Sequence, residues 1–189
     1  DAGTLNLVSD KKSYEIGDVA KVKFPIPSKG SVLLTVEQGD EILLEKWDKV
    51  AGDKFMELDI PITAEMVPNA YAVISLIQPH NQTINDRPIR MYGILPFTVV
   101  DTDTKKEIDI ITKDFFRPKM DFEVKVQMKD HKKTQFTIAV VDEGLLDISA
   151  FKTPKPWEHF YQKTRLNLPT YDMFNHVINA NKGDVFKTF

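Results

Sequence analysis

Apolar and polar residues alternate along the first hundred positions with a period of two, the spacing that turns one face of a β-strand to a core and the other to water. In the stretch 19–24, Val22 and Phe24 fall on one face and Lys21 and Lys23 on the other. Residues 54–60 repeat the pattern: Met56, Leu58 and Ile60 oppose Phe55, Glu57 and Asp59, and Phe55, an aromatic among charges, is expected at a rim. Further strands are predicted over 5–8, 31–37, 42–47, 69–77 and 91–101, with Pro96 implying an edge position or a bulge in the last. The breaks carry turn chemistry. Gly17 stands where a tight turn needs positive φ, Gln38-Gly39-Asp40 predicts a hairpin, and Pro25 and Pro27 predict a loop. Residues 61–68 predict a link with at most one helical turn, and 78–88, with Pro79, Asn81, Asn85 and Pro88, an exposed loop. About seven strands spaced by turns in this way predict an antiparallel β-sandwich.

The polar run 101–107 predicts a domain boundary, with one domain over 1–106 and a second over 107–189. Beyond it the same order returns: a strand at 108–112, an alternating strand at 122–128 with Phe122, Val124, Val126 and Met128 inward, a turn at 130–133 and an apolar strand at 134–141. This predicts the first part of a second, similar sandwich. The strand is expected to end in a turn at Asp142-Glu143-Gly144, with Gly144 at positive φ. After residue 148 the pattern turns helical. Pro154 and Pro156 precede Trp157–Tyr161, and Thr170 is placed to cap a helix over 171–178.

Composition narrows the reading. The 189 residues are 42% hydrophobic, ample for a core, and the net charge of −3 carries no basic block or acidic tail, so nothing points to nucleic acid. Zero cysteines exclude disulfides, thiolate metal sites and a cysteine nucleophile within this stretch. Neither end carries a start or stop signal, as expected of a piece of a longer chain.

Candidate chemistry is sparse. His80, His131, His159 and His176 lie far apart; His159, His176 and Asp172 could be folded into a metal site, but no close ligand pair occurs and solvated histidines are the simpler expectation. Adjacent Asp142 and Glu143 suggest acid–base work, yet neighbours on a strand face opposite ways, which favours a turn. Ser149 lacks the flanking glycines of a nucleophile elbow. Asn81-Gln82-Thr83 fits a glycosylation sequon, of consequence only in a eukaryotic secretory setting. The Trp157, Phe160, Tyr161 cluster could stack on a sugar, in the manner of a cell-surface adhesion or carbohydrate-binding module, or pack a helix against a sheet; packing is the simpler expectation. No cofactor is expected.

Three stretches resemble a known family. Residues 139–174, AVVDEGLLDISAFKTPKPWEHFYQKTRLNLPTYDMF, are similar to the alpha-2-macroglobulin family, above all its bacterial members. The run 13–20, SYEIGDVA, resembles that family's Y-x-x-G-D-x-A opening, and GSVLLTVE at 30–37 and PNAY at 68–71 are similar to its next strands. The resemblance implies a macroglobulin-like sandwich followed by part of another, just before a bait region. It also implies a non-enzymatic, broad-spectrum protease inhibitor that traps proteases after bait cleavage. Its partners would be proteases and neighbouring macroglobulin-like domains. It implies a periplasmic or cell-surface location in a bacterium, with any lipid anchor outside this stretch. The bait would begin near Asn179, with Lys182 and Lys187 suited to trypsin-like cleavage, and Asp142, Glu143 and Gly144 would be the family's structural turn. Without cysteine, this stretch cannot hold the family's thioester.

Overall fold

The computed structural model describes residues 3–27, 29–51, 54–78, 90–117 and 119–171. It divides into two compact units, Asp1–Val99 with Lys163–Phe189, and Val100–Gln162.

The first unit is built on nine strands: β1 (Gly3–Thr4), β2 (Val8–Ser9), β3 (Ser13–Glu15), β4 (Val19–Pro25), β5 (Gly30–Gln38), β6 (Glu41–Val50), β7 (Phe55–Pro61), β8 (Asn69–Ile77) and β9 (Arg90–Val100). They form two sheets. One runs β1-β9-β8-β5-β6 with β3 also paired to β9, and the other runs β2-β4-β7. β1 runs parallel to β9, whereas β2–β4, β4–β7, β5–β6, β5–β8 and β8–β9 are antiparallel pairs. The alternation dictates the core. Ala20, Val22 and Phe24 of β4 and Leu58 and Ile60 of β7 bury against Val32, Leu34 and Val36 of β5 and Ala72, Ile74 and Leu76 of β8. Lys21 and Lys23 face outward; Lys21 pairs with Glu57 at 3.0 Å across the β4–β7 ladder, and the Lys23 ammonium lies over exposed, rim-placed Phe55.

The turns follow their residues. Gly17 has φ +93°, and Gly39, at φ +59°, opens the two-residue β5–β6 hairpin that glycine in the first loop position favours. A single 3₁₀ turn, Ala64–Met66, occupies the link before β8. The opening differs from the single strand predicted at 5–8. The chain pairs with β9 at Gly3 and Thr4, crosses to the other sheet at Val8 and Ser9, and returns beside β9 as β3. Pro96 lies within β9, opposite Tyr71 in a register with β8 that carries no bulge, so it is neither on an edge strand nor at a bulge. Val99 N–H points to Pro68 and Thr98 N–H to Lys12, so by alternation the nitrogen of residue 96 is turned away from β8 and that ladder loses no bond. Gly93, three residues before Pro96, lets the crossing residues approach: a Cβ there would stand 2.4 Å from the Leu5 carbonyl oxygen and 2.8 Å from Leu7 Cγ.

The second unit holds an antiparallel pair, β10 (Ile108–Ile111) with β11 (Lys125–Met128), and two short helices, α1 (Glu143–Ser149) and α2 (Pro156–Phe160). Two expectations fail here. Residues 134–141 form no strand, and Phe136, Ile138, Val140 and Val141 are exposed: no neighbouring strand pairs with them, and alternation without a ladder partner does not hold a strand. The strand foreseen over 122–128 is likewise confined to its last four residues.

Candidate functional site

Asp142, Glu143 and Gly144 begin helix α1 and do not form a glycine turn; Gly144 is absent from the positive-φ residues. The reason is local. Asp142 is extended, and its Oδ1 accepts the Gly144 N–H at 2.9 Å, the geometry of an N-cap, with Glu143 in the first turn where the helix dipole favours a carboxylate. The cap commits Asp142 Oδ1 to the backbone of its own helix. Ser149 Oγ donates to the carbonyls of Leu145 and Leu146 within the helix. Ala150 closes it in the left-handed region at φ 50°.

Helix α2 forms where Pro156 predicts a first turn. Lys155 Nζ meets Glu158 at 2.8 Å, and that carboxylate holds the ammonium above its ordinary range. The Trp157 ring stacks on Tyr161 with centroids 5.3 Å apart, its Nε1–H donates to Thr104 Oγ1 at 3.1 Å, and Lys105 Nζ lies 5.3 Å from its centroid. The indole is thus engaged by its own helix and by Thr104 and Lys105 of the polar run rather than by a sheet, and Phe160, at 77% exposed, stands outside the cluster. His159 meets Phe160 edge-on and His131 sits in the turn after β11. Among the described residues no group of three or more His, Asp or Glu is placed to hold a metal; His80, His176 and Asp172 lie outside the described residues. An open groove of about 580 Å³ in the second unit is lined by Phe115, Phe116, Met120 and Phe122 beside Arg117 and Asp121.

The best-defined polar constellation was not foreseen. In the first unit the chain after residue 162, which forms neither helix nor strand, lies on the sandwich at the β5–β6 hairpin. Asn69, 3% exposed at the start of β8, grips Thr164 from both sides: Nδ2 donates to the Thr164 carbonyl at 3.0 Å and Oδ1 accepts its N–H at 2.8 Å. Tyr71 Oη donates to the same carbonyl at 3.0 Å, and Asn167 N–H donates to the Gly39 carbonyl at 2.7 Å. Asn69 is itself held, because Gln38 Nε2 donates to the carbonyls of Val67 and Asn69. Leu166 and Leu168 are half-buried beyond it. The one sequence signal was the Pro68-Asn69-Ala70-Tyr71 step, whose partner lies 95 residues away from Asn69. Asn179, Lys182 and Lys187, the residues assigned to the start of a cleavable segment, lie outside the described residues.

Residues 5–148 match the family described as alpha-2-macroglobulin bait region domain. The chain is 28% identical over 182 residues to the alpha-2-macroglobulin of Xylella fastidiosa strain 9a5c and 26% identical over 188 residues to that of Escherichia coli K12. Each alignment takes in 95% of this chain but 11% of the relative, so the chain spans only that share of their length. The solved native conformation of the E. coli alpha-2-macroglobulin superposes with a TM-score of 0.55 at 24% identity, covering 88% of this chain and 11% of that one. The trypsin-activated E. coli protein gives 0.53 at 24% identity over 87% and 11%. At that identity the likeness is one of fold.

Proposed function

We propose, from the premise that this chain belongs to the alpha-2-macroglobulin family, that it is the sandwich stem of a bacterial protease inhibitor that traps its attacker after a bait segment is cut. The match to a bait region domain over residues 5–148 carries this reading. The chain acts as scaffold and not as enzyme. Residues 1–106 serve as one macroglobulin-like domain and 107 onward open a second, with the chain from Lys163 returning to the first; Asp142, Glu143 and Gly144 act structurally, as the cap and first turn of α1. The bait begins near Asn179, with Lys182 and Lys187 open to trypsin-like proteases. The partners are proteases and neighbouring domains of the same protein, and the setting is the periplasm or cell surface. Commitment of the Trp157 ring within its own unit speaks against a sugar platform.

Limited proteolysis of the full-length protein tests this. Several proteases of unrelated specificity should make their first cut just beyond Ile178, and the cut should shift the molecule to a more compact form by sedimentation. First cuts in 78–88 without compaction would overturn the proposal.

A further inference from the structure

The sandwich holds the backbone of its own chain at Thr164 and Asn167. At Thr164 both backbone groups are taken by one buried side chain, with the primary amide of Asn69 standing in for the N–H and C=O of a neighbouring strand. Tyr71 adds a second donor to the same carbonyl, and the Gly39 carbonyl takes the N–H of Asn167. A Cβ at Gly39 would make only ordinary contact with Thr164 Cγ2, at 3.6 Å, so the glycine is required by its φ of +59° and not by crowding. These contacts read backbone and not side chains, the mode by which an extended strand is added to a sheet. The flanking residues give the site its consequence. Lys163 and Arg165 have exposed side chains in a stretch without helix or strand, which by sequence and exposure alone would be cut by trypsin-like proteases. A protease must draw the backbone around the cut bond out into its cleft, and here Thr164 and Asn167, on either side of Arg165, are already held.

We propose that the Asn69–Tyr71–Gly39 site is a latch that holds residues 164–167 and withholds the Lys163 and Arg165 bonds from proteases. Attack is thereby passed to chain beyond the latch. That last step rests on the bait reading above; the latch itself does not.

The test uses the intact protein in two measurements. Amide hydrogen exchange over 162–168 should show Thr164 and Asn167 protected, and Asn69→Leu should abolish the protection. Trypsin should spare Arg165–Leu166 in the native protein, and cleavage there should rise by about tenfold or more in the variant, because cutting follows the population of the open form. Thr164→Pro removes the N–H that Asn69 accepts while leaving every sandwich residue in place, so it should expose Arg165–Leu166 even if Asn69→Leu fails to fold. Fast exchange at Thr164 in the native protein, early cutting at Arg165, or an unchanged cutting rate in Thr164→Pro would each overturn the latch. Because exchange needs no protease, a latch that is protected while first cuts fall outside the region past Ile178 refutes the bait reading alone.

Discussion

Replacing Gly93 by alanine isolates the close approach on which the two-sheet opening depends. The added Cβ would stand 2.4 Å from the Leu5 carbonyl oxygen, 2.8 Å from Leu7 Cγ and 3.2 Å from Leu5 Cβ. The nearest atom is backbone, so no rotamer change relieves it. Leu5 would have to recede by about 1 Å to restore ordinary contact, straining the 2.8 Å bond from its N–H to the Tyr92 carbonyl and drawing a side chain only 2% exposed out of the core. Overpacking of this kind costs about 1–3 kcal/mol, and loss of the hydrogen bond adds about 1. Alanine returns about 0.5–1 kcal/mol relative to glycine in a strand. The net is a loss of about 1–3.5 kcal/mol, centred near 2. With a urea dependence of about 1 kcal/mol per molar for a domain of this size, the midpoint should fall by about 2 M with the slope unchanged. Fluorescence of Trp47 in a Trp157→Phe background reports the first unit alone. Gly17→Ala is the control: φ there is +93° but nothing lies within 4 Å, so only backbone strain of about 1 kcal/mol applies. A midpoint shift for Gly93→Ala no larger than for Gly17→Ala would refute the steric argument.

Two further outcomes are expected. Tyr14, buried in T-shaped contact with Phe97, donates to Asp10 Oδ1 at 2.7 Å, and this bond, followed by that from the Lys21 N–H, holds the Asp10 carboxyl below its ordinary value of 3.8. A depressed folded value contributes stability above the unfolded value that is lost as pH falls through the folded one. The melting temperature of Tyr14→Phe should therefore lie below the native one at pH 7, with the gap narrowing as the solution is acidified below pH 4; a gap independent of pH would count against the Asp10 bond. Asp142→Ala should loosen α1 by about 1 kcal/mol, read as faster amide exchange over 143–149, whereas Asp142→Asn keeps the cap and should exchange at the native rate.

The strands from β4 to β8 were legible because each half of the pleat carries its own sign of hydropathy and each break its own turn residue; Lys21, Lys23 and Gly17 are where a period of two and a positive φ place them. β9 was legible for the same reason, though Pro96 sits at neither the edge nor the bulge its sequence implied. The opening was not. Leu5–Val8 reads as one strand, and only the partners on two different sheets divide it. Residues 134–141 mislead in the opposite sense, since their alternation is real but the ladder that would use it is missing from the described residues. Asp142 hid behind the glycine two positions on: Asp-Glu-Gly is as good a helix start as a turn, and the apolar Leu145, Leu146 and Ile148 that follow favour the helix. Asn69 was quoted as part of a family step, but no local pattern announces that a side-chain amide will grip a backbone so far along the chain.

The edge of β9 is closed by residues from the chain's far opening, with Gly3 beside Met91 and Thr4 beside Tyr92. During synthesis, then, the hairpins from β4 to β8 leave the ribosome with one border of their sheet unsealed, and the sandwich cannot complete until residues 90–100 have emerged to be met by β1 and β3. Pairings so distant in sequence belong to folds that form over milliseconds to seconds. A growing chain of this kind exposes an unpaired border throughout that interval, open to pairing with whatever other strand meets it first.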